Sequence, residues 1–294
     1  MTVPAEALPQ VPDELEVSDR QRAREEFRRG RARRSAGIGA VSTVVFLAVV
    51  ITAIVSSPGW PRVQDSFLNW DIARDSLPDI LRGLWLNVRV LAVCAVLIPL
   101  VGLLIAALRT LRGPVYFPLR ALAAAYTDFF RGIPLIILLY LVGFGLPGLQ
   151  LQGVPTSPFV LGTVALVLTY SAYVSEVFRA GIESIHPSQR AAARSLGLTY
   201  GQTLRTVVLP QAVRRVVPPL LNDFVALQKD VGLISVLGAL DAVRYAQIHS
   251  DETFNFTPYL VAGLLFIALA IPTIRLTDWV TARAARRQQA SGAL

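Results

Sequence analysis

The stretch QRAAARSLGLTYGQTLRTVVLPQ, Gln189–Gln211, decides how the rest of the chain is read. It is polar and basic, yet apolar segments of membrane-spanning length lie on both sides of it. Its local chemistry spells two short helices. Pro187 suits the first helical turn, where its missing N–H costs nothing. Ser188–Leu196 holds good helix formers, Ala191, Ala192 and Ala193 among them, and Gly197 stands at a natural left-handed stop. Thr199 and Gln202 make a T-x-x-Q capping box that opens a second helix from Tyr200 to about Leu209, which Pro210 is placed to end or kink. The first helix has a small-residue surface flanked by Arg190 and Arg194. Small side chains let another protein approach the backbone, and the arginines can meet carboxylates on its rim, so the helix suits docking.

Outward from this stretch the composition is that of a membrane protein. Of 294 residues, 53% are apolar and only 16% charged, with a mean hydropathy of +0.52, and a soluble domain of this size needs more polar surface. The net charge of +8 rests on arginine, Lys229 being the only lysine. In a membrane protein such a balance reflects basic cytoplasmic loops more often than nucleic acid. Cys94 sits alone in an apolar run and reads as a small hydrophobe. His186 and His249 are far apart and offer no metal-ligand spacing.

Residues 1–36 form a polar tail with eight arginines between Arg20 and Arg34, expected to be disordered or loosely helical. Gly37–Ser56 follows. It is longer than a signal-peptide core and is expected to be a retained membrane anchor, a cleaved signal being the alternative. Residues 58–80 read as an external connector. Five more windows of spanning length run from about Leu84 to Leu108, Leu122 to Leu146, Pro158 to Val177, Val216 to Leu240 and Thr257 to Ile274. With the tail in the cytoplasm, the inner stretches hold most of the basic residues, and the outer ones hold only Arg62, Arg74, Arg82 and Arg244. The positive-inside rule therefore predicts six spans with both termini cytoplasmic, residues 283–294 included, and puts the opening stretch in the longest inner loop, 180–215. Residues 241–256, on the outer side, are expected to carry a short surface helix. The fold class is an all-α integral membrane protein, since continuous apolar runs argue against a β-barrel.

At this point a resemblance appears. SLGLTYGQTLRTVVLPQA, with Ala192 and Ala193 ahead of it, resembles the cytoplasmic loop of binding-protein-dependent ABC importer permeases, whose pattern is E-A-A-x3-G-x9-I-x-L-P. Ala192, Ala193, Gly197, Leu209 and Pro210 match, Val207 stands at the Ile position, and Ala191 replaces the leading glutamate. YTDFFRGIPL at Tyr126–Leu135, SAYVSEVFRAGIESI at Ser171–Ile185 and LPQAVRRVVPPLLNDFVALQKD at Leu209–Asp230 are similar to permeases of polar-amino-acid uptake systems of the histidine, glutamine and glutamate type. Asp128, Ile133 and Val231-Gly232 depart from the commoner Glu, Thr and Thr-Ser. The likeness covers residues 81–282 and leaves the tail and first span outside a five-span core. It implies a permease subunit in a bacterial-type cytoplasmic membrane, an amino acid or other small polar solute, and coupling through Gln189–Gly197 to an ABC ATPase dimer that binds ATP and magnesium. It also implies a second permease subunit, identical or sister, an external solute-binding protein and surrounding lipid, with no cofactor on this chain and no nucleic acid.

Charges within membrane depth are costly, which makes them functional candidates. Asp128 and Arg131, and Glu176 and Arg179, are three apart and can share helix faces. Lys229 and Asp230 are adjacent and need partners elsewhere. All can be structural pairs; alternatively Asp128, Arg131, Pro134, Glu176, Asp223, Lys229 and Asp230 mark a translocation path or gate. Glu176 and Arg179 are expected at the cytoplasmic mouth, bracing the loop. The Arg131-Gly132-Ile133-Pro134 run breaks a helical ladder, which is tolerated where it lines a cavity or is buried in protein. GFGLPG, Gly143–Gly148, matches G-x-G-x-x-G but lacks the strand-turn-helix context of a dinucleotide site. There is no P-loop, because Gln228 precedes Lys229, so this chain is not expected to be an enzyme. A self-sufficient transporter needs no docking loop, and a membrane-anchored DNA reader needs a helix free to enter a groove, which this tethered loop is not.

Overall fold

The computed structural model describes residues 19–111 and 113–291; the first half of the basic tail and residues 292–294 lie outside the described residues. Those residues are mostly helical, joined by short turns, with no strand among them. The chain divides into two units at Val63. In the first, α1 (Asp19–Val55) runs unbroken from the arginine-rich segment into the apolar run, and Arg34–Val55 is long and apolar enough to cross a membrane. Helix α2 (Trp60–Phe67) crosses the boundary.

The first helix wholly within the second unit is α3 (Trp70–Thr110), so with α2 most of the connector 58–80 is helical. Asn69 starts α3 by accepting from the N–H groups of Asp71 and Ile72. Then come α4 (Phe117–Gly132), α5 (Leu135–Tyr140), a π turn Leu141–Gly145, α6 (Leu146–Gly148) and α7 (Pro158–Glu183). The loop contributes α8 (Pro187–Ser195) and α9 (Tyr200–Thr203), followed by a π turn Leu204–Val208, α10 (Leu209–Asp230) and a 3-10 segment Val231–Leu237. The unit closes with α11 (Ala242–Thr253) and α12 (Thr257–Ser291). Among the described residues four helices are long and apolar enough to span, or six spans if each of two bent pairs counts as one.

The packing centre is α7. Its Leu166, Tyr170 and Val174 meet Val90, Leu91, Cys94 and Ile98 of α3, and Leu227, Val231 and Ile234 on the other side. Lipid offers no hydrophobic gradient between helices, so close approach of small residues holds them together. At Gly102 an added Cβ would stand 2.8 Å from Val174 Cγ1. Of the GFGLPG glycines, Gly143 serves the same end: a Cβ there would meet Leu237 Cδ2 at 2.2 Å, while Gly145 and Gly148 face open space.

Two expectations need correction. The helix in 241–256 is more than a surface element: Ala242 and Ala246 are fully buried, and α11 packs against α3 and α12. Small residues on one face of α11 let α3 come so close that a Cβ at Gly83 would lie 2.3 Å from the Asp241 carbonyl carbon. Nor does Pro210 end the second loop helix. The π turn Leu204–Val208 widens the ladder just ahead of it, and α10 continues through Pro210, Pro218 and Pro219 to Asp230.

Candidate functional site

The loop forms as its residues dictate. His186 caps α8, its Nδ1 accepting from the Ser188 N–H at 3.2 Å. At the other end Gly197 takes φ +82°, its N–H donating to the Arg194 carbonyl and the Leu198 N–H to the Ala193 carbonyl. These two bonds are the Schellman closure that a left-handed glycine permits. Thr199 and Gln202 then make both bonds of the capping box. Of the three alanines Ala193 is buried and anchors α8 inward, while Ala191 and Ala192 are exposed. Leu196, which periodicity did not single out, is 83% exposed beside them.

The loop is braced by residues other than those expected. Arg190 turns inward and donates from Nη2 to the Ile182 carbonyl at 2.6 Å, and Arg215 donates to the Ser184 carbonyl. Glu176 and Arg179 do pair, at 2.7 Å, but they belong to a cluster above the loop. There Glu176 also takes Arg109 from α3 and lies 3.8 Å from Arg131, while Arg179 reaches Glu183. The charges on α3, α4 and α7 are thus tied through one carboxylate. Arg131 finds Glu176, and Asp128 is exposed with no ion pair among the described residues. The expected Asp128–Arg131 pair is therefore absent, because α4 ends one residue beyond Arg131 and releases that side chain toward α7.

At Ile133-Pro134 the backbone is extended, and the helical segments Pro114–Gly132 and Leu135–Gly148 on either side bend by 105°. Proline has no N–H to continue the ladder, and the residue before it disfavours the α region. Polar contacts fix α4 to α7 just before the break: Tyr126 Oη donates to the Leu168 carbonyl at 2.9 Å and lies 2.8 Å from Ser171 Oγ. The break thereby opens on α7 and α10 as a cavity of about 440 Å³. Its walls include Arg131 and Pro134 from the break, Thr169, Tyr170 and Tyr173 from α7, and Asp223 and Asp230 from α10. The Arg131 guanidinium sits 5.6 Å from the centre of the Tyr173 ring. Tyr170 Oη donates to Asp230 Oδ2 at 2.8 Å.

The structure thus brings together Arg131, Pro134, Asp223 and Asp230, sets Glu176 beside them, and leaves Asp128 and Lys229 exposed and outside the cavity wall. The tyrosines were missed. Their signal was a pair three residues apart in an apolar run, whose hydroxyls need partners at that depth. Also missed was a buried junction in which Asn87 Nδ2 donates to Asp241 Oδ2 and to the Val231 carbonyl, while its Oδ1 accepts from the Ala242 N–H.

Residues 98–286 match the family model described as the binding-protein-dependent transport system inner membrane component. The chain is 34% identical over 205 residues to the arginine transport system permease protein ArtQ of Bacillus subtilis (strain 168), covering 69% of this chain and 91% of that one. It is 40% identical over 169 residues to the probable glutamine ABC transporter permease protein GlnM of the same organism, covering 56% and 76%. Among solved structures it resembles a chain of an amino acid ABC transporter crystallised with histidines, with a TM-score of 0.64 and 31% identity over 70% of this chain and 94% of that one. The inward-facing MetNI methionine ABC transporter shares the fold, with a TM-score of 0.55 and 20% identity over 70% and 96%. With its helical core, its broken fourth helix and its loop of two capped helices, the chain belongs to the family of binding-protein-dependent transport system inner membrane components and has the all-α membrane fold of type I ABC importer permeases.

Proposed function

We propose that this chain is the membrane subunit of an ATP-driven amino-acid importer, coupled to a separate ATPase through α8. The observation that carries this reading is the loop itself: a short helix capped at both ends, with Ala191, Ala192 and Leu196 exposed and its backbone braced from within by Arg190 and Arg215. Such a knob presents apolar surface of the kind that marks a protein contact, and its bracing passes force directly into α7 and α10. Gln189, Arg194 and Gly197 complete it, and Leu209-Pro210 joins it to α10. Without a P-loop on this chain, ATP and magnesium belong to the ATPase dimer, and an external binding protein delivers the solute to this subunit and a second permease, identical or sister. The names of the relatives, which include an arginine and a glutamine permease, support an amino acid as solute. Six spans with both termini in the cytoplasm follow from the arginine distribution.

The solute chamber in this reading is the cavity at the α4–α5 break. Its volume lies within the roughly 300–1,000 Å³ of small-molecule pockets. The Arg109–Glu176–Arg131–Arg179 cluster below it acts as the inner gate that movement of α8 opens. The test is reconstitution with the ATPase, the second permease and the binding protein in liposomes. Uptake of labelled amino acid is expected to require ATP and to vanish when the ATPase is omitted; uptake without ATP sinks the reading.

A further inference from the structure

Among the described residues, five buried side-chain polar atoms lack a hydrogen-bond partner, and two of them, Thr169 Oγ1 and Asp223 Oδ2, belong to residues that line this same cavity. Thr169 is 4% exposed. A carboxylate and a hydroxyl left without partners on two residues of one cavity wall call for a ligand that donates hydrogen bonds once those side chains turn toward it. The charges give its sign. The wall carries two carboxylates, Asp223 and Asp230, against one cation, Arg131. That cation is already drawn to Glu176 and to the face of Tyr173, and Lys229, next to Asp230 in sequence, is exposed and does not line the cavity. Asp230 has the Tyr170 hydroxyl, so Asp223 is the carboxylate without a donor.

We propose that this cavity selects a solute of net positive charge, a basic amino acid, whose side-chain ammonium or guanidinium group binds Asp223 with Thr169 beside it and whose carboxylate faces Arg131. This rests on the reading of the cavity as the solute chamber. Neutral amino acids leave one wall carboxylate uncompensated, and dicarboxylic ones add to the excess of negative charge.

The test is equilibrium binding of radiolabelled L-arginine to the assembled transporter in lipid nanodiscs, without the binding protein, with L-citrulline and L-glutamate as competitors. Citrulline keeps the shape of arginine and removes the charge. Charge-assisted hydrogen bonds are about twice as strong as neutral ones, so L-citrulline should compete about tenfold less well, and L-glutamate not at all. Asp223→Asn should weaken L-arginine about tenfold and leave L-citrulline unchanged; if that variant fails to assemble, the competition series on the wild-type protein decides by itself. Equal competition by L-citrulline or L-glutamate overturns the charge selection and leaves the chamber standing. Binding of L-arginine that survives Ala226→Phe, which fills the cavity, places the site elsewhere and overturns the chamber reading.

Discussion

Asn87 and Asp241, 154 positions apart, are joined by a 2.9 Å hydrogen bond buried where α3 meets the start of α11. Asn87 also bonds the Val231 carbonyl and the Ala242 N–H, so one side chain ties three segments together. Asn87→Leu keeps the volume and strands each of these groups. It is expected to lower stability by about 1–3 kcal/mol per stranded buried group, read as a lower unfolding temperature of the purified protein in detergent. An unchanged midpoint shows that the junction holds nothing.

Gly83 packs against the same junction. A Cβ there meets backbone, 2.3 Å from the Asp241 carbonyl carbon, and backbone does not rotate aside. Gly83→Ala should cost roughly 1–3 kcal/mol by forcing α3 and α11 apart. Gly263→Ala, in α12 with open space around it, should be neutral or stabilise by up to about 1 kcal/mol. The contrast, measured by thermal unfolding, separates close packing from helix propensity.

Glu176 is shared by Arg109 and Arg179 and faces Arg131. Glu176→Gln leaves three guanidiniums without their common carboxylate and should destabilise by roughly 2–4 kcal/mol. Adding Arg109→Gln removes part of that repulsion, so the double variant should be more stable than the sum of the two single variants implies. Strict additivity in the four-protein cycle would mean the cluster is not coupled.

Gly197 needs its left-handed conformation, not its small size, because nothing lies within 4 Å of a Cβ there. Gly197→Ala should weaken the loop by about 1–2 kcal/mol, and Gly197→Asn by less, since asparagine tolerates that region. Hydrogen exchange at the Leu198 amide, bonded to the Ala193 carbonyl, reports the change. Equal protection in all three proteins refutes it.

Ala192 and Leu196 face outward on α8, so charge there leaves the fold alone. Ala192→Glu and Leu196→Asp are expected to keep the stability, read from thermal unfolding, within about 0.5 kcal/mol of the wild type. Co-purification with the ATPase should fall at least about tenfold, the loss of a well-placed contact residue. Undiminished co-purification counts against α8 as the docking helix.

The loop was legible because its signals are local. Capping box, left-handed glycine and helix-opening proline each act within a few residues, so Gln189–Gln211 could be read into two helices before any contact was known. The apolar runs were legible for a related reason, since a membrane demands continuous lengths of apolar side chains whatever surrounds them. Where the reading stopped, two conformations satisfied the same local rule. Pro210 allowed either an end or a kink, and only the folded chain, with its π turn just ahead and α10 running on, decided. Residues 241–256 read as a surface helix because their polarity is real, but Ala242 and Ala246 sit where α3 approaches, a fact held in Gly83 some 160 positions earlier.

By itself, then, the sequence determined that the long apolar runs are largely helical and how the loop Gln189–Gln211 is capped, because hydropathy, capping and positive φ are properties of neighbours in the chain. Only the tertiary structure decided which charges meet. Arg131 and Asp128 lie three apart on one helix, yet the break at Pro134 turns Arg131 toward Glu176 and, with α7 and α10, encloses Asp223, Asp230 and Thr169. Electrostatic partners depend on distances across helices, and those are set by packing that no single segment contains.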